Sequence, residues 1–315
     1  MTVIDRIRLN GYRRTGQLAF RCLTRPIHLL RHRRAPDYRD PDSDQLQAIE
    51  RGLREAGLNI ESFDFRASEL EHFRNRFPFP EDYHGGIEGP VWHEKLFEHF
   101  VAYRLGRLRD FDPEQDVYVD VAACESPWAY LLRQAGYRAF AIDLDRSARY
   151  GHLSYYRRMD ATRTLFAADS VRTISLQCAF EMFLGDADSR FVDECARILT
   201  PGGRAVIVPL YMHTHPCGYS APAHFNRGYA DPGAKTYIRR NDLDTRFSRK
   251  YSVATLQSRI LDRARENQLG FHLYAVTDKD AAGPGVYCHF VLVLEKSQPT
   301  GTPAPGLTAS QAPRQ

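Results

Sequence analysis

The chain has 315 residues, 43% of them hydrophobic, and a formal net charge of +4, which is ample material for a full-sized core. It contains no apolar run of about 18 residues and no continuous apolar stretch near Met1, so neither a transmembrane helix nor a signal peptide is expected. Cys22, Cys124, Cys178, Cys195, Cys217 and Cys288 are scattered without a C-x-x-C pair, which argues against a disulfide framework and fits a reducing cytoplasm.

Residues 1–34 form a basic segment with nine arginines and one acid, Asp5. Its side chains sum to +8, so the remaining chain carries about −4. Ile4, Ile7, Leu9, Leu18, Phe20, Leu23, Ile27, Leu29 and Leu30 are interleaved with these arginines. The pattern suits an amphipathic segment making peripheral contact with an anionic membrane. It equally suits an arginine-rich helix pair packed on the protein, or a partner-binding arm. Nucleic acid is not expected, because the basic charge is local and no recognised nucleic-acid motif accompanies it.

Residues 35–115 read as a helical lead-in. Helices are expected over 43–56 and 67–77, the second stopped by Phe77-Pro-Phe-Pro80. A glycine-rich loop, Tyr83 to Pro90, precedes a strong helix over 91–108.

Alternating strands and helices follow. Val117 to Val121 is a β-branched strand that also carries Asp120. Ala122, Ala123, Cys124 and Ser126 form a loop of small residues, with Ser126 as N-cap and Pro127 at the first helical position. Strand, tight loop and helix start together make the usual ligand corner of an open α/β sheet. Arg138 to Asp143 is a second strand ending in a carboxylate, 23 residues after Asp120 and placed to accept ribose hydroxyls. Met159-Asp160-Ala161 is a third short element, and Val171 to Gln177 a fourth strand leading to Phe180-Glu181. An amphipathic helix spans 188–199, and Thr200-Pro-Gly-Gly203 leads into a fifth strand over 204–210. This alternation predicts a parallel sheet.

A long loop over 211–250 leaves the C-terminal end of that strand, the edge at which open α/β sheets bind ligands. It holds Tyr211, His213, His215, His224, Arg246 and Arg249. Tyr211 and His224 are candidate substrate contacts. Arg246 and Arg249, with Lys250, suit an anionic acceptor, and equally a solvated turn. His213 and His215 stand at i and i+2, but without clustered acids no metal is expected. A helix over 252–267 and strands over 271–276 and 287–295 complete the domain; residues 297–315, rich in Pro, Thr, Ser, Gly and Gln, are expected to be disordered.

In this order the elements resemble the class I S-adenosylmethionine-dependent methyltransferases. The resemblance covers roughly residues 116–296, with an insert at about 211–250. It rests on Asp120-Val-Ala-Ala-Cys-Glu-Ser126, Asp143, Asp160-Ala161, Phe180-Glu181 and Leu199-Thr-Pro-Gly-Gly-Arg204. It implies a Rossmann-like fold with a seven-stranded, mostly parallel sheet flanked by helices, and S-adenosyl-L-methionine as cofactor. The cofactor set is then Asp120, Ala122, Cys124, Ser126, Asp143, Asp160, Ala161 and Gln177. One departure stands out: Ala122, Cys124 and Ser126 replace three expected glycines, which keeps room but not φ freedom. Glu125 is a candidate partner for the cofactor's amino group, or a plain exposed acid. Family helices ahead of the first strand often cover the site, so His84, Trp92 and His93 are candidates to face it; Trp92 equally suits the core, and His84 and His93 the surface.

The expected reaction is methyl transfer to a small-molecule or glycan acceptor, with O-methylation favoured. His213, His215 or Glu181 would take the acceptor proton. Two other readings are a non-catalytic scaffold on a membrane or partner, and a nicotinamide oxidoreductase. The latter needs a G-x-G-x-x-G turn that the chain lacks, and Glu125 at the helix start would repel phosphate.

Overall fold

The computed structural model describes residues 20–298; the expectations for residues 1–19 and 299–315 lie outside it. Helix α1 runs over described residues 20–31. The lead-in then holds α2 (Ser43–Glu55), the short strand β1 (Ile60–Ser62), α3 (Ala67–Arg76) and α4 (Trp92–Leu105). A reciprocal cap starts α2: Asp42 Oδ1 accepts from Gln45 N at 2.9 Å, and Gln45 Oε1 accepts from Asp42 N at 3.1 Å.

The main sheet is built from β2 (Val117–Val121), β3 (Arg138–Asp143), β4 (Tyr156–Arg158), β5 (Val171–Gln177), β6 (Leu199–Val208), β10 (Leu269–Ala275) and β11 (Phe290–Lys296), with β1 added at one edge. Its order is β1-β10-β11-β6-β5-β2-β3-β4. Only β11 runs antiparallel to its neighbours, β10 and β6. The eighth strand comes from the lead-in, where a helical region was expected; as the edge strand, it pairs Ile60 with Leu273 of β10 and buries the Ile60 side chain. The third element also shifts. Its strand is Tyr156–Arg158, which pairs with Ala141–Asp143, so Asp160 lies two residues beyond the strand end.

Helix α5 (Trp128–Gln134) follows β2, and α6 (Ala187–Ile198) precedes β6. Helices α7 (Val253–Leu256) and α8 (Asp262–Glu266) are joined by a π turn over Gln257–Leu261. The segment expected as a long loop over 211–250 instead contains a three-stranded sheet of β7 (Cys217–Ser220), β8 (Lys235–Ile238) and β9 (Ser248–Lys250), in the order β8-β7-β9.

Strand alternation divides the core. Val117, Val119 and Val121 pack with α6 to α8 residues such as Phe191, Ile198 and Ile260. Tyr118 points to the other face, among Phe73, Phe77, Phe100 and Trp128. Asp120 shares the parity of Tyr118, so it faces the α4 side at the C-terminal end of β2. Gly106 allows α4 to end hard against β5: a Cβ there would lie 2.5 Å from Ala102 O and 2.7 Å from Thr173 Cγ2. Thr173 Oγ1 donates to Gly106 O at 2.8 Å and seals that contact.

Candidate active site

A cavity of about 980 Å³ opens where the β2–α5 loop meets α4 and the loop over 82–90. The β2–α5 loop adopts the left-handed backbone that its residues disfavour: φ is 55° at Ala122 and 48° at Cys124. Its course is held from outside. Ala123 N donates to Ile142 O at 3.1 Å, Cys124 N to Asp143 Oδ2 at 2.8 Å, and Ser126 N to Ala123 O at 2.7 Å. Small side chains leave the cavity open, while hydrogen bonds supply the conformation that glycine would adopt freely.

Asp120 lines this cavity, is fully buried, and has no hydrogen-bond partner for either carboxylate oxygen. Burial, partly offset by the nearby Ser126 side chain and reinforced by Asp143, pushes its carboxyl up to about 7. An orphaned carboxylate facing a cavity calls for a cation or hydrogen-bond donor from a ligand. A cofactor carrying both a sulfonium and an ammonium group fits this requirement. Ala122, Cys124, Ser126 and Gln177 line the same cavity. Gln177 Nε2 donates to Ser175 Oγ at 2.7 Å; that hydroxyl pairs with Tyr118 Oη, which accepts from Trp128 Nε1 at 2.8 Å.

The other expected cofactor contacts lie further out. Both oxygens of Asp143 brace backbone: Oδ2 accepts from Cys124 N, and Oδ1 accepts from Asp145 N at 2.8 Å. Each oxygen retains a second lone pair for a ligand hydroxyl. Asp143 lines a small adjoining recess rather than the main cavity. Asp160 is exposed and accepts from Thr162 N at 2.8 Å and Thr162 Oγ1 at 2.9 Å; half-buried Ala161 packs against the core. Glu125 clamps the turn beyond β3, accepting from Ser147 Oγ at 2.7 Å, Ala148 N at 2.6 Å and Arg149 N at 3.0 Å.

The polar groups on the opposite wall come mainly from α4 and were not singled out in the sequence. Lys95 Nζ lies 2.9 Å from both oxygens of fully buried Glu98. Burial works against the Lys95 ammonium, but Glu98 raises its pKa well above the ordinary range. Glu94 Oε2 accepts from Tyr287 N at 2.8 Å and Cys288 N at 3.1 Å, tying α4 to the strand β11 approach. His99 lines the cavity; its Nε2 is 3.1 Å from Tyr83 Oη, and its buried Nδ1 has no partner. Burial, followed by Lys95 and His84, holds the His99 ring well below the usual imidazole range, so it is neutral at pH 7. A signal was present: Glu94 and Glu98, and Lys95 and His99, are i,i+4 pairs that make a polar stripe on an otherwise apolar helix. His84 also lines the cavity, whereas Trp92 is buried beneath the guanidinium of Arg74 and His93 packs against Gly283.

The three groups expected to act as base are not on this wall. His213 and His215 lie beside the three-stranded sheet, their ring centroids 4.3 Å apart, and His215 Nε2 meets Tyr237 Oη at 2.9 Å. With Cys217 they bring metal-ligand atoms within 4.8 Å of one another. The ammonium groups of Lys235 and Lys250 depress His213 in addition to burial and His215, a setting adverse to a further cation. Glu181 is buried behind the wall, where Oε1 accepts from Cys178 Sγ at 3.5 Å. Cys178 itself lines the cavity and meets Tyr211 Oη at 3.2 Å. The Tyr211 ring lies 3.5 Å from Lys250 Nζ.

The remaining expected substrate contacts separate. His224 lines a different cavity, of about 310 Å³, within the insert. Arg246 is exposed and lines neither cavity. Arg249 is buried and fully engaged: it pairs with Asp231 at 2.6 Å and Asp188 at 3.1 Å, and donates to Phe183 O at 2.7 Å and Gly185 O at 2.9 Å. Its guanidinium fastens the insert to the start of α6 instead of facing a ligand, because its five donors match the acceptors gathered there.

A mostly parallel sheet with one inverted strand, and a tight loop and buried acid at its β2 switch point, make a Rossmann-like fold with its ligand corner at that point. Residues 119–207 match the family model described as a methyltransferase domain. Those residues thus carry a methyltransferase domain, and S-adenosyl-L-methionine is the cofactor such a domain implies. Solved structures similar to this chain include an S-adenosylmethionine-dependent methyltransferase from Methanosarcina mazei, at 11% identity, 61% coverage of this chain, 97% of that chain and a TM-score of 0.40. A Burkholderia thailandensis 1,6-didemethyltoxoflavin-N1-methyltransferase shows 15% identity, coverages of 76% and 95%, and a TM-score of 0.44. A geranyl diphosphate C-methyltransferase from Streptomyces coelicolor shows 15% identity, coverages of 72% and 98%, and a TM-score of 0.37. No curated protein matches the sequence.

Proposed function

We propose that this protein transfers a methyl group from S-adenosylmethionine to a hydroxyl of a small-molecule or glycan acceptor. The observation that carries this reading is the cavity in which the unpaired Asp120 carboxylate and the neutral His99 ring both take part. The cofactor supplies an electrophilic methyl carbon on a sulfonium. Asp120 receives its positive charge, while Ala122, Cys124, Ser126 and Gln177 shape its seat. Asp143, Asp160 and Ala161 serve the ribose and adenine end in this reading. With His99 Nε2–H donating to Tyr83, the Nδ1 lone pair is free to accept the acceptor's proton. The Lys95–Glu98 pair orients a polar acceptor, and the packed α4 wall keeps the reacting atoms aligned. Residues 35–115 act as the cap of a domain spanning 116–296, with 211–250 as its insert.

The test combines calorimetry with a methyl-transfer assay on a panel of hydroxylated acceptors. Wild type should bind S-adenosylmethionine and S-adenosylhomocysteine at micromolar concentration, and Asp120→Asn should lose at least tenfold. His99→Asn should keep cofactor affinity and lose kcat by about 10²–10⁴-fold. Folded protein that binds neither ligand would overturn the cofactor seat; full activity of His99→Asn would overturn the proton acceptor.

A further inference from the structure

Helix α1 is amphipathic in the inverted sense. Phe20, Leu23, Ile27 and Leu30, spaced at 3, 4 and 3 residues, form one stripe, and they are 67%, 78%, 67% and 69% exposed. The face turned to the protein is mainly polar, with Arg21, Thr24, Arg25 and His28 half-buried beside Leu29. Arg25 Nε and Nη2 donate to Arg240 O at 3.0 and 2.8 Å, and Arg21 is paired with Asp244. Beyond the helix, Arg240 Nη2 donates to Arg33 O at 3.3 Å and Ala35 O at 3.1 Å, and the His32 ring meets Phe225 edge-on at 5.2 Å. The helix is therefore fastened by its polar side with its apolar side outward. Four large apolar side chains in one row on a surface mark an interaction site.

We infer that α1 docks the protein on the surface of an anionic lipid bilayer, with Phe20, Leu23, Ile27 and Leu30 entering the headgroup–acyl boundary. Charge selects this occupant. Exposed Arg31, Arg33 and Arg34 follow the stripe directly, and residues 1–34 hold nine arginines against a remainder of about −4. A second copy docked on the same face would bring these arginines against one another. Among the described residues no helix is long and apolar enough to cross a membrane, so contact is with the surface.

The inference rests on α1 and the arginines of residues 1–34, and is separate from the methyl-transfer reading. Its test is flotation of the full chain with phosphatidylcholine vesicles, with and without phosphatidylglycerol, at low and high salt. Binding should favour the anionic vesicles by at least tenfold, weaken with salt, and drop at least tenfold in the Leu23→Glu/Ile27→Glu double variant. Circular dichroism and a cooperative thermal unfolding transition report whether that variant is folded. No binding to anionic vesicles, equal binding by a folded double variant, or a dimer in sedimentation that the double variant dissociates would each overturn the proposal.

Discussion

The backbone amide of Cys124 donates to Asp143 Oδ2 at 2.8 Å, joining the β2–α5 loop to the end of β3. One carboxylate thus braces the loop that shapes the cavity and remains able to accept further hydroxyl donors. Asp143→Ala should lower cofactor affinity at least tenfold while costing about 1.5–3 kcal/mol of stability, the usual range for a lost hydrogen bond to a charged group. Calorimetric titration beside urea unfolding checks both; unchanged affinity would sink the bracing role.

The same loop carries measurable strain. Ala122 and Cys124 sit at φ 55° and 48°, where a Cβ costs roughly 1–2 kcal/mol and glycine nothing. Glycine also gives the unfolded chain more freedom, which offsets part of the gain. Ala122→Gly and Cys124→Gly should each stabilise by about 0.5–1 kcal/mol and preserve cofactor binding. Urea midpoints decide this, and clear destabilisation by either change would contradict it.

Asp120 should make both stability and binding depend on pH. Its carboxyl is raised from 3.8 to about 7, so the folded protein holds the proton more tightly than the unfolded chain. The associated stability is fully present below pH 3.8 and is lost as pH rises through 7, by up to about 4 kcal/mol. A cationic cofactor instead needs the ionised form. Its affinity should fall by close to tenfold per pH unit below 7, with one proton released on binding. Asp120→Asn should flatten both profiles; titrations in two buffers of different ionisation enthalpy count the proton.

Arg249 offers a structural counterpart. It is 2% exposed and its guanidinium is shared among Asp188, Asp231 and two carbonyls, so truncation leaves fully buried Asp188 with less compensation. Arg249→Ala should destabilise by about 3–5 kcal/mol. Arg249→Lys should recover only part, since an ammonium cannot reproduce the fork. Thermal unfolding measures the loss, and cofactor affinity of the molecules that remain folded should be near that of wild type.

Much of the fold was legible because it is written in local pattern. The alternation of Val117, Val119 and Val121, the carboxylate ending Arg138–Asp143, and Thr200-Pro-Gly-Gly203 ahead of β6's buried run each depend on residues close in the chain. Their order alone implied a parallel sheet, since short strands alternating with helices can bury both faces in few other ways. Tertiary structure decided what the side chains do. The unpaired state of Asp120 depends on α4, the left-handed loop on Asp143 and Ile142, and the burial of Arg249 on acceptors from α6 and Asp231. His213 and His215 stand away from the cavity, which His99 lines from a helix whose pattern reads first as core. Composition placed arginines and apolar residues together in residues 1–34, but only packing against Arg240 and Asp244 turned the apolar stripe of α1 outward. Periodicity determines which residues share a face; contacts distant in sequence determine what that face meets.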